Sequence, residues 1–270
     1  MSCSKRQNKN KPERVVSHKK KIATAVLALA FAAPAWAADE PEVTAYRPSI
    51  SNPAELPTPG QLELEFGLLH QRQGSARDDS LPYLFKLAFT KEWGVLLGGD
   101  AHVWKRDEDG QREHGAGDTS ITLKRAFIVS DTRAFGLELI ANLPTAKSAL
   151  GSGKADYTIN GIYSQDIRRL HLDLNLNATR IGAPEAGSGR LETGLAAALS
   201  VPLNRNWTGV AEWSGTRRSG AQSTAQLLAA VSYNPDQRYS IDAGFVRGLN
   251  GATPDWSFFT GFVIPVARLW

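Results

Sequence analysis

Residues Leu170 to Asn177 read "LHLDLNLN", with leucine at every even position and a polar side chain at every odd one. Successive side chains of a strand point to opposite faces, so this segment has one all-leucine face and one face made of His171, Asp173, Asn175 and Asn177. A soluble sandwich would bury the leucines in a dry core. A transmembrane barrel would turn them to lipid and put the polar row in a watery interior.

The same alternation continues almost without a break from Gln61 onward. It predicts twelve strands, at about 61–71, 81–90, 93–104, 117–128, 134–143, 155–165, 169–180, 190–201, 207–214, 223–233, 238–247 and 256–270. The connections after the even strands are tight ("TKE", "SDT", "QDIRR", "VPLNRN", "NPDQR"). Those after the odd strands are longer and polar, such as "KRDEDGQREHGAG" and "PTAKSALGSGK". Loop length segregated by end is the habit of an up-and-down outer-membrane barrel, with short periplasmic turns and longer external loops. An even strand number returns both termini to the periplasmic side.

Aromatic residues gather at two heights. Phe89, Trp93, Phe127, Phe135, Tyr163, Trp207, Tyr233, Tyr239 and Trp270 lie near the tight turns; Tyr83, Trp104, Tyr157, Trp213 and Trp256 lie near the other end. Two interfacial girdles are expected, with Trp104 on the inward parity and so placed to line the mouth. Strands of ~10 residues rising ~3.3 Å each and tilted ~40° span ~25 Å, the height of a lipid-facing band. The fold expected is therefore all-β, a transmembrane up-and-down antiparallel barrel of about twelve strands. The last strand carries an aromatic at Trp270, the kind of signal read by barrel assembly machinery, although Arg268 interrupts its apolar face and would have to snorkel.

Residues 1–37 run from a basic segment through the apolar "IATAVLALAFAAPAWA" to small residues at Ala35 and Ala37, the order of a secretory signal peptide cleaved after Ala37. Eight of the 31 Lys and Arg and one of the 27 Asp and Glu lie there, so the remainder holds 23 basic and 26 acidic residues, net −3. The basic balance belongs to the leader, and a nucleic-acid partner is not expected. Cys3 falls in the leader too, so no disulfide is expected. Residues 38–60 hold five prolines and no sustained period, and read as an extended N-terminal arm, periplasmic or plugging the pore, ahead of the barrel at 61–270.

Carrying the parity of "LHLDLNLN" through the other strands turns a set of polar side chains inward as a candidate solute path. These are Glu63, Glu65, Lys86, Asp100, His102, Asp118, Lys124, Glu138, Asn142, Asn160, Asp173, Asn175, Asn177, Glu192, Glu212 and Asp242. Such groups either pair across the lumen to stabilise a narrow barrel or line a passage. Twelve strands leave room for a small-solute channel. Changing Leu174 to Arg should destabilise, while Asn175→Arg should be tolerated.

Enzyme readings find little. A lipid-hydrolysing barrel would place Ser and His two residues apart on one strand, and none of His70, His102, His114 or His171 is followed that way. His102 and His114 flank the acidic Asp107, Glu108, Asp109 and Glu113, which reads as a solvated loop, so neither metal nor cofactor is expected. "ALGSGKAD" lacks the leading glycine and the following Ser or Thr of a phosphate loop.

The stretches "YRPSISNPAELPTPGQLELEFG", "GAGDTSITLK" (Gly115 to Lys124) and "LPTAKSALGSGKADYTINGIYSQDI" (from Leu143) resemble the family of outer-membrane proteins associated with the phenol meta-degradation pathway. The resemblance runs over nearly all of the mature chain. It implies a closed barrel in the outer membrane that passes small solutes, hydrophobic or aromatic ones among them, and supplies no binding residues to carry over. The ending "ARLW" departs from the usual barrel terminus at Arg268. The partners implied are outer-membrane lipid, a small-molecule solute and the assembly machinery. The rival readings are a structural or surface-binding barrel with a closed lumen, and an outer-membrane lipid hydrolase.

Overall fold

The computed structural model describes residues 42–147, 150–236 and 238–270. The expected leader and residues 38–41 of the arm lie outside them. The strands are β1 (Gln61–Gln73), β2 (Ala76–Ala88), β3 (Trp93–Arg106), β4 (Arg112–Gly115), β5 (Thr119–Ser130), β6 (Arg133–Leu143) and β7 (Asp156–Ile167). They continue as β8 (Leu170–Arg180), β9 (Leu191–Pro202), β10 (Trp207–Arg218), β11 (Thr224–Tyr233), β12 (Ser240–Gly248) and β13 (Trp256–Arg268). Each long strand pairs antiparallel with its sequence neighbour, β3 passing directly to β5, and β1 pairs with both β2 and β13, so the sheet closes on itself. The barrel has twelve strands. β4 is an external extension that folds back onto β3.

Closure leaves no long open edge, and every strand can satisfy its backbone groups within lipid. Which face is wet is decided by exposure. Lys86, Lys124, Glu63 and Glu138 are 0% exposed, whereas Leu176 is 65% and Ile159 58% exposed. Polar groups are inside and apolar ones outside, the reverse of a soluble core. In β8, Leu170 and Leu176 are exposed while Asp173 and Asn175 are buried, so the leucine row faces lipid.

The turns at 89–92, 131–132, 168–169, 203–206 and 234–239 are the short ones, as expected for one end. Exposed Phe89, Trp93, Phe127, Phe135, Trp207 and Tyr239 ring that end; Phe135 and Tyr163 lie 5.1 Å apart, Trp207 and Tyr233 4.9 Å. At the opposite end the first predicted loop proves to be largely strand and the second about half strand. β1 and β2 run on to a two-residue turn at Gly74 and Ser75, because Arg72 pairs with Arg77 and Gln73 with Ala76. The charged run after β3 is mostly the β3–β4 hairpin.

Two bulges correct the parity read from sequence. Between the pairs Ser80/Val103 and Pro82/Asp100, β3 carries one residue more than β2. Past that point Trp104 lands opposite Asp79, on the outward face, instead of lining the mouth. The other bulge lies between Leu62 and Glu63, where the partners are Ala267 and Pro265, so Val266 is the extra residue. A proline inside a strand is at home beside a bulge. Arg268 consequently sits opposite Gln61, whose side chain is buried inside, and leaves the apolar row it was expected to interrupt.

Candidate functional site

The lumen is built around the arm. Residues 42–60 form no strand, so their backbone N–H groups must find other partners. Side chains of the barrel wall supply them. The N–H of Thr44 donates to Glu63 at 3.1 Å and that of Tyr46 to Glu65 at 2.7 Å. Those of Ile50 and Ser51 both donate to Glu212 Oε2 at 2.8 Å. Asn52 N–H donates to Asn175 at 3.1 Å and Ala54 N–H to the Ser164 hydroxyl at 2.8 Å. The carboxylates thus stand in for a neighbouring strand, and charge-assisted bonds of this kind are stronger than neutral ones.

Lysines hold the arm's carbonyls. Lys86 Nζ donates to Thr44 O and ion-pairs with Glu65 at 2.5 Å and Glu63 at 3.1 Å. Lys124 Nζ donates to Pro53 O at 2.5 Å and pairs with Glu138 at 3.2 Å. The ring of Tyr46 lies between the two, with Nζ of Lys86 4.4 Å and of Lys124 4.1 Å from its centroid. A desolvated cation over a ring contributes about 2 kcal/mol. On the far wall Arg47 makes a two-pronged bond to Asp242, at 2.9 and 3.0 Å. From β1 the arm therefore passes β12, β10, β8, β6 and β7 and returns by β3 to Gly60, whose N–H donates to Ala88 O.

Glycines make room for this course. A Cβ on Gly261 or Gly67 would lie 2.6–3.1 Å from the Arg47 guanidinium; one on Gly94 would meet Leu56 at 2.7 Å, and one on Gly136 would crowd Ala54 at 3.2 Å. Ala54 packs with Ala134 and Ile162.

Of the sixteen polar positions read as inward, Glu63, Glu65, Lys86, Lys124, Glu138, Asn175, Glu212 and Asp242 touch the arm directly. Asn160 supports them by donating to Glu138 and Asn175, and Asp173 accepts from Ser164 and lies 3.2 Å from His171. Nearer the outside, half-buried Asn142 pairs in register with Ser120 and Asp156, and Asp100 lies against Gly117. Asp118 accepts the N–H groups of Ala146 and Ser152 and so holds the loop after β6, and Glu192 lies 3.8 Å from Arg218. His102 is the exception. The β3 bulge carries it to the outer face, where its ring lies 4.3 Å from Trp104 and 5.5 Å from His114. Asn175 is not free to change either, since it both accepts from Asn52 N–H and donates to Asn52 O.

The periodic reading missed two features. Arg47, Tyr46 and Asn52 lie in a segment with no period, though they are the polar and aromatic residues of a proline-rich stretch. The other is apolar: Val210, Leu228, Ala230, Val246 and Phe259 form a buried cluster on the inner wall of β10–β13, with Leu69 against it. Their inward parity was available in the sequence. The lumen thus has a side rich in charge, on β1–β8, and a less charged side on β10–β13, where Glu212 and Asp242 accompany the apolar cluster.

Two cavities flank the arm along that second side. One of about 180 Å³ is lined by Arg47, Ser49, His171, Asp173, Val210 and Ser232. The other, of about 210 Å³, is lined by Ile50, Asn177, Ser214, Thr216, Gln226 and Thr253. Arg47, Pro48 and Ser49 border the first and Ile50 the second.

Solved structures of the same fold include an outer membrane channel, COG4313, from Pseudomonas putida F1, with a TM-score of 0.62 at 14% identity over 84% of this chain and 100% of that one. The NanC porin (TM-score 0.55, 8% identity, 76% of this chain and 100% of that one) and the KdgM porin (0.53, 9%, 76% and 99%) share it too. No curated protein matches the chain in sequence. A family model matches residues 45–265, from within the arm to the last strand, and the chain belongs to the family described as "Putative MetA-pathway of phenol degradation".

Proposed function

We propose that the protein is an outer-membrane channel through which small solutes, aromatic compounds of the phenol class among them, pass by diffusion, with the arm as its constriction. The observation that carries this reading is the pair of cavities on either side of residues 47–50. A solute enters among the external loops, reaches the outer cavity with its neutral lining of Asn177, Ser214, Thr216 and Gln226, and leaves through the inner one. Selectivity comes from bore and wall polarity. The apolar cluster beside Val210 favours solutes with one greasy face, and the family description points to the same chemistry.

The extent of the arm's bonding favours a second reading, a structural barrel whose lumen stays closed. Planar-bilayer conductance and liposome uptake separate the two. The processed protein should conduct weakly, Asp242→Asn should raise conductance by freeing Arg47, and removal of residues 42–59 should raise it further. Uptake of a monocyclic aromatic should exceed that of a monosaccharide of similar mass. A refolded barrel that conducts in none of these forms is the closed one.

A further inference from the structure

On the outer face the register aligns a row of arginines. Arg247 of β12 lies opposite Trp256 of β13, Trp256 opposite Arg72 of β1, and Arg72 opposite Arg77 of β2. Arg77 in turn lies opposite Arg106 of β3, and Arg106 opposite Arg112 of β4. Residues directly opposite in an antiparallel pair share a face. That face is outward, because the in-phase neighbours one step down are the exposed Phe245 and Phe258, with His70, Asp79 and Trp104 in line with them. All five arginines are exposed.

Like charges set opposite one another repel, and the chain does little to offset it. Asp79 bonds to Arg77 at 2.8 Å and to His70 at 2.6 Å. Arg72 and Arg247 donate to the carbonyl oxygens of Gly74 and Asp255. Among the described residues, no carboxylate lies within ion-pair distance of Arg72, Arg106, Arg112 or Arg247. Of the acids in the adjoining turns, Asp255 accepts the Gly74 N–H and Asp107 the Gln111 N–H. The row passes through Trp256 of the girdle, just beyond Trp104, at the end away from the termini, and because the strands tilt ~40° it runs obliquely, shifting ~3 Å in height per strand. That is where an outer-leaflet headgroup meets the girdle.

We propose that this row is a docking surface for phosphorylated lipid of the outer leaflet, an inference that rests on the outer-membrane placement above. Guanidinium groups bind phosphate in two-pronged fashion, and adjacent strands ~4.8 Å apart spread the row over ~24 Å from β12 to β4, enough for a headgroup bearing more than one phosphate. The row occupies the β12–β4 side of the barrel, so it gathers lipid there.

The test is titration of the detergent-solubilised protein with diphosphorylated lipid A and with the same lipid stripped of phosphate, read by native mass spectrometry. The phosphorylated lipid should bind at least ~10-fold more tightly, and the triple variant R72Q/R106Q/R247Q should lose on the order of a hundredfold. Should the triple variant fail to refold, each single variant should lose about fivefold. Arg125→Gln, at the opposite rim, should change nothing. Equal binding of the stripped lipid, undiminished binding by the variants, or an equal loss in Arg125→Gln would overturn the proposal. The readout involves no solute flux, so it stands apart from the conductance experiments.

Discussion

Leu174 and Asn177 lie three residues apart on β8 and meet different solvents. Leu174 sits near the middle of its strand on the lipid row, so Leu174→Arg should cost ~2–4 kcal/mol of unfolding free energy in lipid vesicles. Asn177 borders the outer cavity, where a longer cation has room. Asn177→Arg should cost less than ~1 kcal/mol and act on permeation. Denaturant titration of the two variants side by side checks the parity. At Asn175 the sequence pointed the other way, toward tolerance, because periodicity says which face a side chain occupies and nothing of what already bonds to it. The bonds to Asn52 make Asn175 a holder of the arm.

Among the elements, the long strands were legible from alternation and the two ends of the barrel from loop length. The bulges were not. One extra residue on β3 and one on β13 reverse the faces beyond them, and this is why His102, Trp104 and Arg268 fall on faces that strict alternation does not give. Pro265 was the visible hint for the second bulge; β3 offered none as plain. The arm's junction with β1 is a further element-level dependence. Gly60 has φ +82°, and a Cβ there would approach Trp270 O at 2.6 Å, while Gly60 O accepts from Leu269 N–H. Gly60→Ala should therefore destabilise by ~1–3 kcal/mol through left-handed strain and displacement of the terminal residue. Thermal unfolding in detergent, compared with Gly153→Ala in an open loop where a Cβ meets nothing within 4 Å, separates the crowding from the strain.

For the whole molecule, the sequence established which side is wet, because that question concerns every strand at once. It left the arm's course undetermined, since carboxylates spaced along four strands and backbone N–H groups far away in the chain have no shared period. The resulting fold has a segment without secondary structure that is bonded as firmly as a strand. Amide exchange should reveal this: the N–H groups of Tyr46, Ser51, Asn52 and Ala54 should exchange at rates near those of mid-strand amides, and much more slowly than those of the loop at 219–223. Fast exchange at all four would mean that the arm spends much of its time outside the lumen.

The four glycines under Arg47, Leu56 and Ala54 shape the wall to its occupant. A chimaera that grafts residues 42–60 onto another twelve-strand cylinder will seat them only if the recipient is hollowed at the matching places, and a side chain added at Gly261, where the atoms nearest a Cβ are all of Arg47, would evict the insert while leaving the container whole.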